Sequence, residues 1–197
     1  PARGTSWGMA PLDMLFAGRR GGESTVVSGE TGQGKTTLTT YLCWLAATMG
    51  DSALIGSFEH QPLDEALKLV TMETGAEFVP LCDADKEQVI AALARKPLYL
   101  IDAYGSVDDA VVFDTLRYFY RACGGKLAVI DHLGFIIDND RGGKPAHETT
   151  EKFLLALQRL LKTECPGLHV MVVVHPKNQQ DEKGKPAKVT KFSLRGG

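Results

Sequence analysis

Residues 29 to 36, Gly29-Glu30-Thr31-Gly32-Gln33-Gly34-Lys35-Thr36, have the spacing G-x-x-x-x-G-K-[ST] of a loop that wraps phosphate groups. A triphosphate needs a concave run of backbone N–H donors, and Gly29, Gly32 and Gly34 are expected to supply the positive-φ turns that aim those donors inward. Lys35 is expected to reach the β- and γ-phosphates. The Thr36 hydroxyl is a hard oxygen suited to Mg²⁺, and a helix beginning here points its positive end at the phosphates. With Thr37 the stretch forms a nucleotide site, for ATP or another (d)NTP with Mg²⁺ as cofactor.

Other residues of the right chemistry close apolar runs. Asp131 follows Leu127-Ala128-Val129-Ile130 and fits a strand-end carboxylate that holds Mg²⁺ through its water shell; the plainer reading is a turn cap. Glu59 is the natural general base, a carboxylate at the end of the strand next to the phosphate loop, where it can orient and polarise water. Asp102 competes by position, but Asp102-Ala103-Tyr104-Gly105 reads as a turn. His175 either donates to the γ-phosphate or is a core-edge histidine bonded to backbone, and both readings stay open. His60, His132 and His147 share no metal-like spacing.

These residues need a scaffold of alternating strands and helices. Thr25 to Ser28, Ala53 to Phe58, Leu98 to Ile101, Leu127 to Ile130 and Val170 to Val174 are short apolar runs that read as buried strands. Between them lie helical faces: Leu38, Tyr41, Leu42, Leu45, Met49 after the loop; Leu63, Ala66, Leu67, Val70 after Pro62; and Val89, Ile90, Leu93. Two more follow, Val112, Phe113, Leu116, Phe119, Tyr120, Cys123 capped by Ser106, and Phe153, Leu154, Leu157, Leu160, Leu161. The class is α/β, a mostly parallel central sheet with helices on both faces, and ligands in such sheets sit outside the carboxyl ends of the strands. Residues 1–23 read as an entry segment and 24–197 as one domain.

The 197 residues carry a net charge of −2, unevenly spread. From Lys177 to Arg195 the balance is +4, with Lys177, Lys183, Lys185, Lys188, Lys191 and Arg195 against Asp181 and Glu182, and the remainder is −6. That run favours nucleic-acid phosphates over a merely solvated loop. Cys43, Cys82, Cys123 and Cys165 lack C-x-x-C spacing, so reduced core thiols are expected. No apolar run reaches membrane-spanning length and no signal-peptide layout is visible, which points to an intracellular protein. The start at Pro1 suggests a fragment or processed form.

Several stretches together resemble the RecA-type motor of the DnaB-like ring helicases, in the branch of the mitochondrial Twinkle helicase and the phage primase–helicases. They are the phosphate loop with its approach Gly22 to Ser28, Gly56-Ser57-Phe58-Glu59, Val129-Ile130-Asp131-His132-Leu133, and Val173-Val174-His175-Pro176-Lys177-Asn178. The resemblance implies a RecA-like core with Lys35 and Thr36 on triphosphate and metal, Glu59 as catalytic base, Asp131 on the metal and His175 as γ-phosphate sensor. It implies single-stranded DNA held by Lys177, Asn178, Lys183, Lys185 and Arg195 in the central channel of a homo-oligomeric ring, a hexamer. Further strands and the arginine finger would lie beyond Gly197, the finger acting from a neighbouring subunit, and any primase or other replisome partner lies outside this chain. The setting would be a bacterial or phage-infected cytoplasm and nucleoid, or the mitochondrial matrix. A RecA-type strand-exchange ATPase and a nucleotide-gated assembly ATPase without a DNA track are the competing functions.

Overall fold

The computed structural model describes residues 4–75, 82–103, 105, 107–134 and 146–174, with side chains from 148 in the last stretch. Five strands, β1 (Ser24–Ser28), β2 (Ala53–Ser57), β3 (Leu98–Leu100), β4 (Leu127–Asp131) and β5 (His169–Val174), form one sheet in the order β1-β5-β4-β2-β3. Every pairing is parallel. The helices are α1 (Ala10–Phe16), α2 (Lys35–Thr48), α3 (Pro62–Thr74), α4 (Asp83–Ala94), α5 (Asp109–Ala122) and α6 (Ala146–Thr163).

Strand residues alternate between two cores, as the two-residue period of a strand requires. Ala128 and Ile130 join Val170, Val172, Leu54 and the inward faces of α5 and α6. Leu127 and Val129 join Met171, Val173, Ile55 and the inward face of α2, with Leu69 of α3 and Trp7 of the entry segment. Central strands β2 and β4 are buried at every position, whereas β1 and β3, the outermost strands among the described residues, are half-buried.

The faces expected of α5 and α6 are the ones that pack, but α2 and α3 differ. Leu38 of α2 and Met49 just past its end are exposed, and beside the expected Leu42 the helix buries Thr39, Thr40, Cys43, Ala46 and Ala47. Small side chains let α2 lie close across β2 to β5, and hydrophobic periodicity, which weights large residues, misses such a face. In α3 Leu63 is exposed, and the buried residues are Glu65, Leu69 and Val70. The N-cap position of α5 is Asp108 rather than Ser106, which lies outside the described residues. Cys43 and Cys165 are buried thiols and Cys123 is half-buried, but Cys82 is exposed, so it is no core residue. The entry segment also does more than lead in. Thr5 and Arg19 form an antiparallel bridge, and Trp7 is buried edge-on against His169.

Candidate active site

The parallel sheet brings the carboxyl ends of all five described strands to one side, and the phosphate loop springs from β1 there. Gly32 and Gly34 have φ of 83° and 76°, as expected, and open space surrounds the position of a Cβ at either. Gly29 differs, because its φ is not positive. A Cβ there would stand 2.7 Å from Gln33 Oε1, the movable end of a side chain that accepts from the Glu30 N–H at 3.1 Å. Lys35 is buried, and its Nζ donates to the carbonyls of Gly29 at 2.9 Å and Glu30 at 2.8 Å. Gly34 occupies the N-cap position of α2 without a side-chain cap, so the first N–H groups of the helix, at Lys35, Thr36 and Thr37, remain available to a ligand.

The expectation that the Glu59 strand adjoins the phosphate-loop strand is corrected by the strand order. β5 and β4 stand between β1 and β2, because parallel neighbours are chosen by crossovers that leave no mark in local sequence. Glu59 joins the site through β4 instead. Ser57 is in register with Asp131, the Phe58 N–H donates to the Asp131 carbonyl at 2.7 Å, and the Phe58 carbonyl accepts from the Gly105 N–H at 3.0 Å. The chain is therefore pinned to β4 immediately before Glu59, whose Oε2 lies 3.9 Å from His132 Nε2. The Glu59 side chain is 40% exposed, enough for water to reach it.

Asp131 is 1% exposed, and neither of its carboxylate oxygens has a hydrogen-bond partner of full geometry. Burial is the largest cause of a pKa held above the ordinary aspartate range, and the Thr36 hydroxyl opposes it. Glu59 and Glu65 push the pKa further up, and His132 pulls it down. Buried oxygens without partners, with a threonine hydroxyl beside them, suit a small divalent cation; an ordinary turn cap would have found a backbone donor. Among the described residues no group of three or more His, Cys, Asp and Glu side chains could hold a metal by itself. Mg²⁺ is commonly held by one or two protein oxygens together with phosphates and water.

Asp102 is exposed beyond β3, one strand further from the phosphate loop than Glu59. His175, Lys177, Asn178, Lys183, Lys185 and Arg195 lie outside the described residues. Sequence reading missed Ser28 and Ser57, whose buried hydroxyls at strand ends lack partners, and Glu65. Their signal was faint: a serine ending a strand looks like the start of a turn, and an acidic residue in the first turn of a helix looks solvated.

A phosphate loop after the first strand of a parallel sheet and two carboxylates at the ends of its central strands define the class, a P-loop NTPase of RecA-like architecture. Within it the chain belongs to the AAA domain family (AAA_25), which matches residues 1–181. Three solved structures share the fold. One is an isolated ATPase domain, 14% identical, with 98% of this chain and 70% of that chain covered and a TM-score of 0.77. The second is a DnaB-like replicative helicase studied with its primase interactions, at 12% identity, 98% and 49% coverage and a TM-score of 0.78. The third, a KaiC-like protein from the hyperthermophilic archaeon Pyrococcus horikoshii, gives 17%, 99% and 76%, with a TM-score of 0.65. This chain thus spans about half the length of the DnaB-like helicase. Among the described residues no helix is long and apolar enough to cross a membrane.

Proposed function

We propose that this chain is the motor domain of a replicative DNA helicase, hydrolysing NTP to translocate on single-stranded DNA as a ring, with 1–23 as its entry segment and 24–197 as the motor. The observation that carries the reading is the meeting of the phosphate loop, Asp131 and Glu59 at the carboxyl ends of one parallel sheet whose fold is shared with a DnaB-like replicative helicase. The loop residues 29–37 bind the triphosphate, and Lys35 places its ammonium on the β- and γ-phosphates. Thr36 and Asp131 would hold Mg²⁺, which supplies neutralising charge for the phosphoryl group in transfer.

Glu59 orients a water in line with the γ-phosphorus and accepts its proton as the new P–O bond forms and the bond to the β-phosphate oxygen breaks. His175, just beyond β5, reports the γ-phosphate. The arginine that commonly stabilises the developing charge is assigned to a neighbouring subunit. Lys177, Asn178, Lys183, Lys185 and Arg195 hold the DNA backbone by charge, inside the cell compartment where replication occurs.

The test uses the full-length protein on a forked duplex with Mg²⁺ and NTP. Unwinding should accompany DNA-stimulated hydrolysis, and neutralising Lys177, Lys183 and Lys185 together should flatten the salt dependence of DNA binding by up to about three charges per subunit. Strand exchange without unwinding would identify a recombination ATPase. Hydrolysis indifferent to DNA would instead favour a nucleotide-gated assembly protein.

A further inference from the structure

Glu65 is a carboxylate 1% exposed in the first turn of α3, in a position that the hydrolytic chemistry does not by itself require. Its Oε2 accepts from Thr40 Oγ1 at 3.0 Å, and Thr40 lies on α2, one turn beyond the proposed metal ligand Thr36. Its Oε1 accepts from Lys68 Nζ at 2.5 Å and stands 3.8 Å from His60 Nδ1. His60 follows Glu59 directly, and its Nδ1 is buried without a hydrogen-bond partner. One buried carboxylate thus touches the phosphate-loop helix and faces the residue beside the proposed base.

Stability alone explains such a group poorly. Burying a charge costs free energy that paired charges barely recover, and apolar residues of similar volume do as well or better. Here the Thr40 hydroxyl, the Lys68 ammonium and the positive end of α3 make the charge tolerable. Lys68 and His60 sit at the rim of the cluster and Thr40 at its floor, so the carboxylate is bonded to the helix and faces the strand end.

We propose that Glu65 is a positioning residue, which holds α2 through Thr40 and turns its charge toward His60 beside Glu59, so that a nucleotide seated on the loop finds the general base already aimed at the attacking water. The proposal rests on the reading of Glu59 as that base. Glu65→Gln keeps the volume and an acceptor for Thr40 but removes the charge that Lys68 and His60 face. Thr40→Val removes the hydroxyl that donates to the carboxylate, with little change in shape.

The experiment measures single-turnover NTP hydrolysis and nucleotide affinity in the full-length protein for wild type, Glu65→Gln, Thr40→Val, Glu59→Gln and the double variant Glu59→Gln/Glu65→Gln. Glu65→Gln should lower the rate about 10-fold and leave nucleotide affinity within about 2-fold, with Thr40→Val acting in the same direction. Because Glu65 acts through Glu59, the second substitution should cost less than about 2-fold more in the Glu59→Gln background. A wild-type rate in Glu65→Gln, a loss confined to nucleotide affinity, or costs that multiply in the double variant would each overturn the proposal. Wild-type hydrolysis by Glu59→Gln would overturn the general-base reading instead, whatever Glu65→Gln does alone.

Discussion

At the amino ends of the strands polar side chains close on one another, whereas at the carboxyl ends several buried ones are left open. Below β1 and β2, Arg19 pairs with Asp51, and Ser52 Oγ donates to the Cys123 carbonyl at 2.8 Å. At the start of β5, His169 Nδ1 meets the Arg20 carbonyl at 2.8 Å and Nε2 meets Thr25 Oγ1 at 2.9 Å; Trp7 Nε1, nearby, is the exception without a partner. At the opposite end Ser28 Oγ, Ser57 Oγ and both oxygens of Asp131 are buried with no partner of full geometry, the Thr36 hydroxyl standing beside Asp131. Native interiors rarely tolerate such atoms, so a cluster of them marks where a ligand completes the bonding, and the satisfied end marks where structure alone is served.

The strongest test of that contrast removes a charge from the open end. Lys35→Ala should lower NTP turnover by at least about 10³-fold while the protein stays folded, since the lysine's own partners are two loop carbonyls. Turnover at the wild-type rate would remove the nucleotide from this end of the sheet. Glu59→Gln should cut turnover by about 10²-fold with nucleotide affinity nearly intact, and Asp102→Asn, one strand further out, by less than about 3-fold. If the Asp102 variant were the inactive one, the base would belong to β3 rather than β2.

Smaller effects sharpen the comparison through stability. Asp131 has a raised folded pKa, so its ionised form costs the fold stability at neutral pH, and the cost is relieved as pH falls through that raised value. Without metal, Asp131→Asn should melt about 3 °C higher than wild type at pH 7, with the two curves converging in acid. A lower melting point for the variant at pH 7 would show that Asp131 is satisfied after all.

His169 has the opposite sense. Burial, its largest cause, holds the folded pKa below the ordinary 6.5, so its contribution is complete above that pH and is lost as the pH falls below it. The melting point should drop by about 2–4 °C between pH 7 and 5.5, and His169→Gln should flatten that slope. An unchanged slope in the variant would place the acid sensitivity elsewhere.

Local spacing made the strand segments readable, with the glycine-rich loop ahead of α2 and the place of Asp131 at a strand end, because each depends on residues a few positions apart. Ser57 faces Asp131 across β2 and β4, a pairing set by crossovers rather than by neighbours in sequence, so the adjacency of the Glu59 strand to the loop strand was misread. The α2 face was missed because Thr39, Cys43, Ala46 and Ala47 bury small surfaces that make no strong periodic signal. Glu65 was invisible for a related reason: its burial follows from α3 lying against α2, which no pattern within α3 encodes. The proposed DNA contacts fall beyond β5, outside the described residues.

The strand order also bears on how the molecule is made. Among the described strands β1 pairs with β5 alone, and the bond between Thr25 and His169 joins positions 144 apart in sequence. Contacts of such separation are formed late and slowly. A chain leaving the ribosome therefore displays the whole phosphate loop long before β5 exists to seat it. Until β5 has been made, β1 has no partner among the described strands.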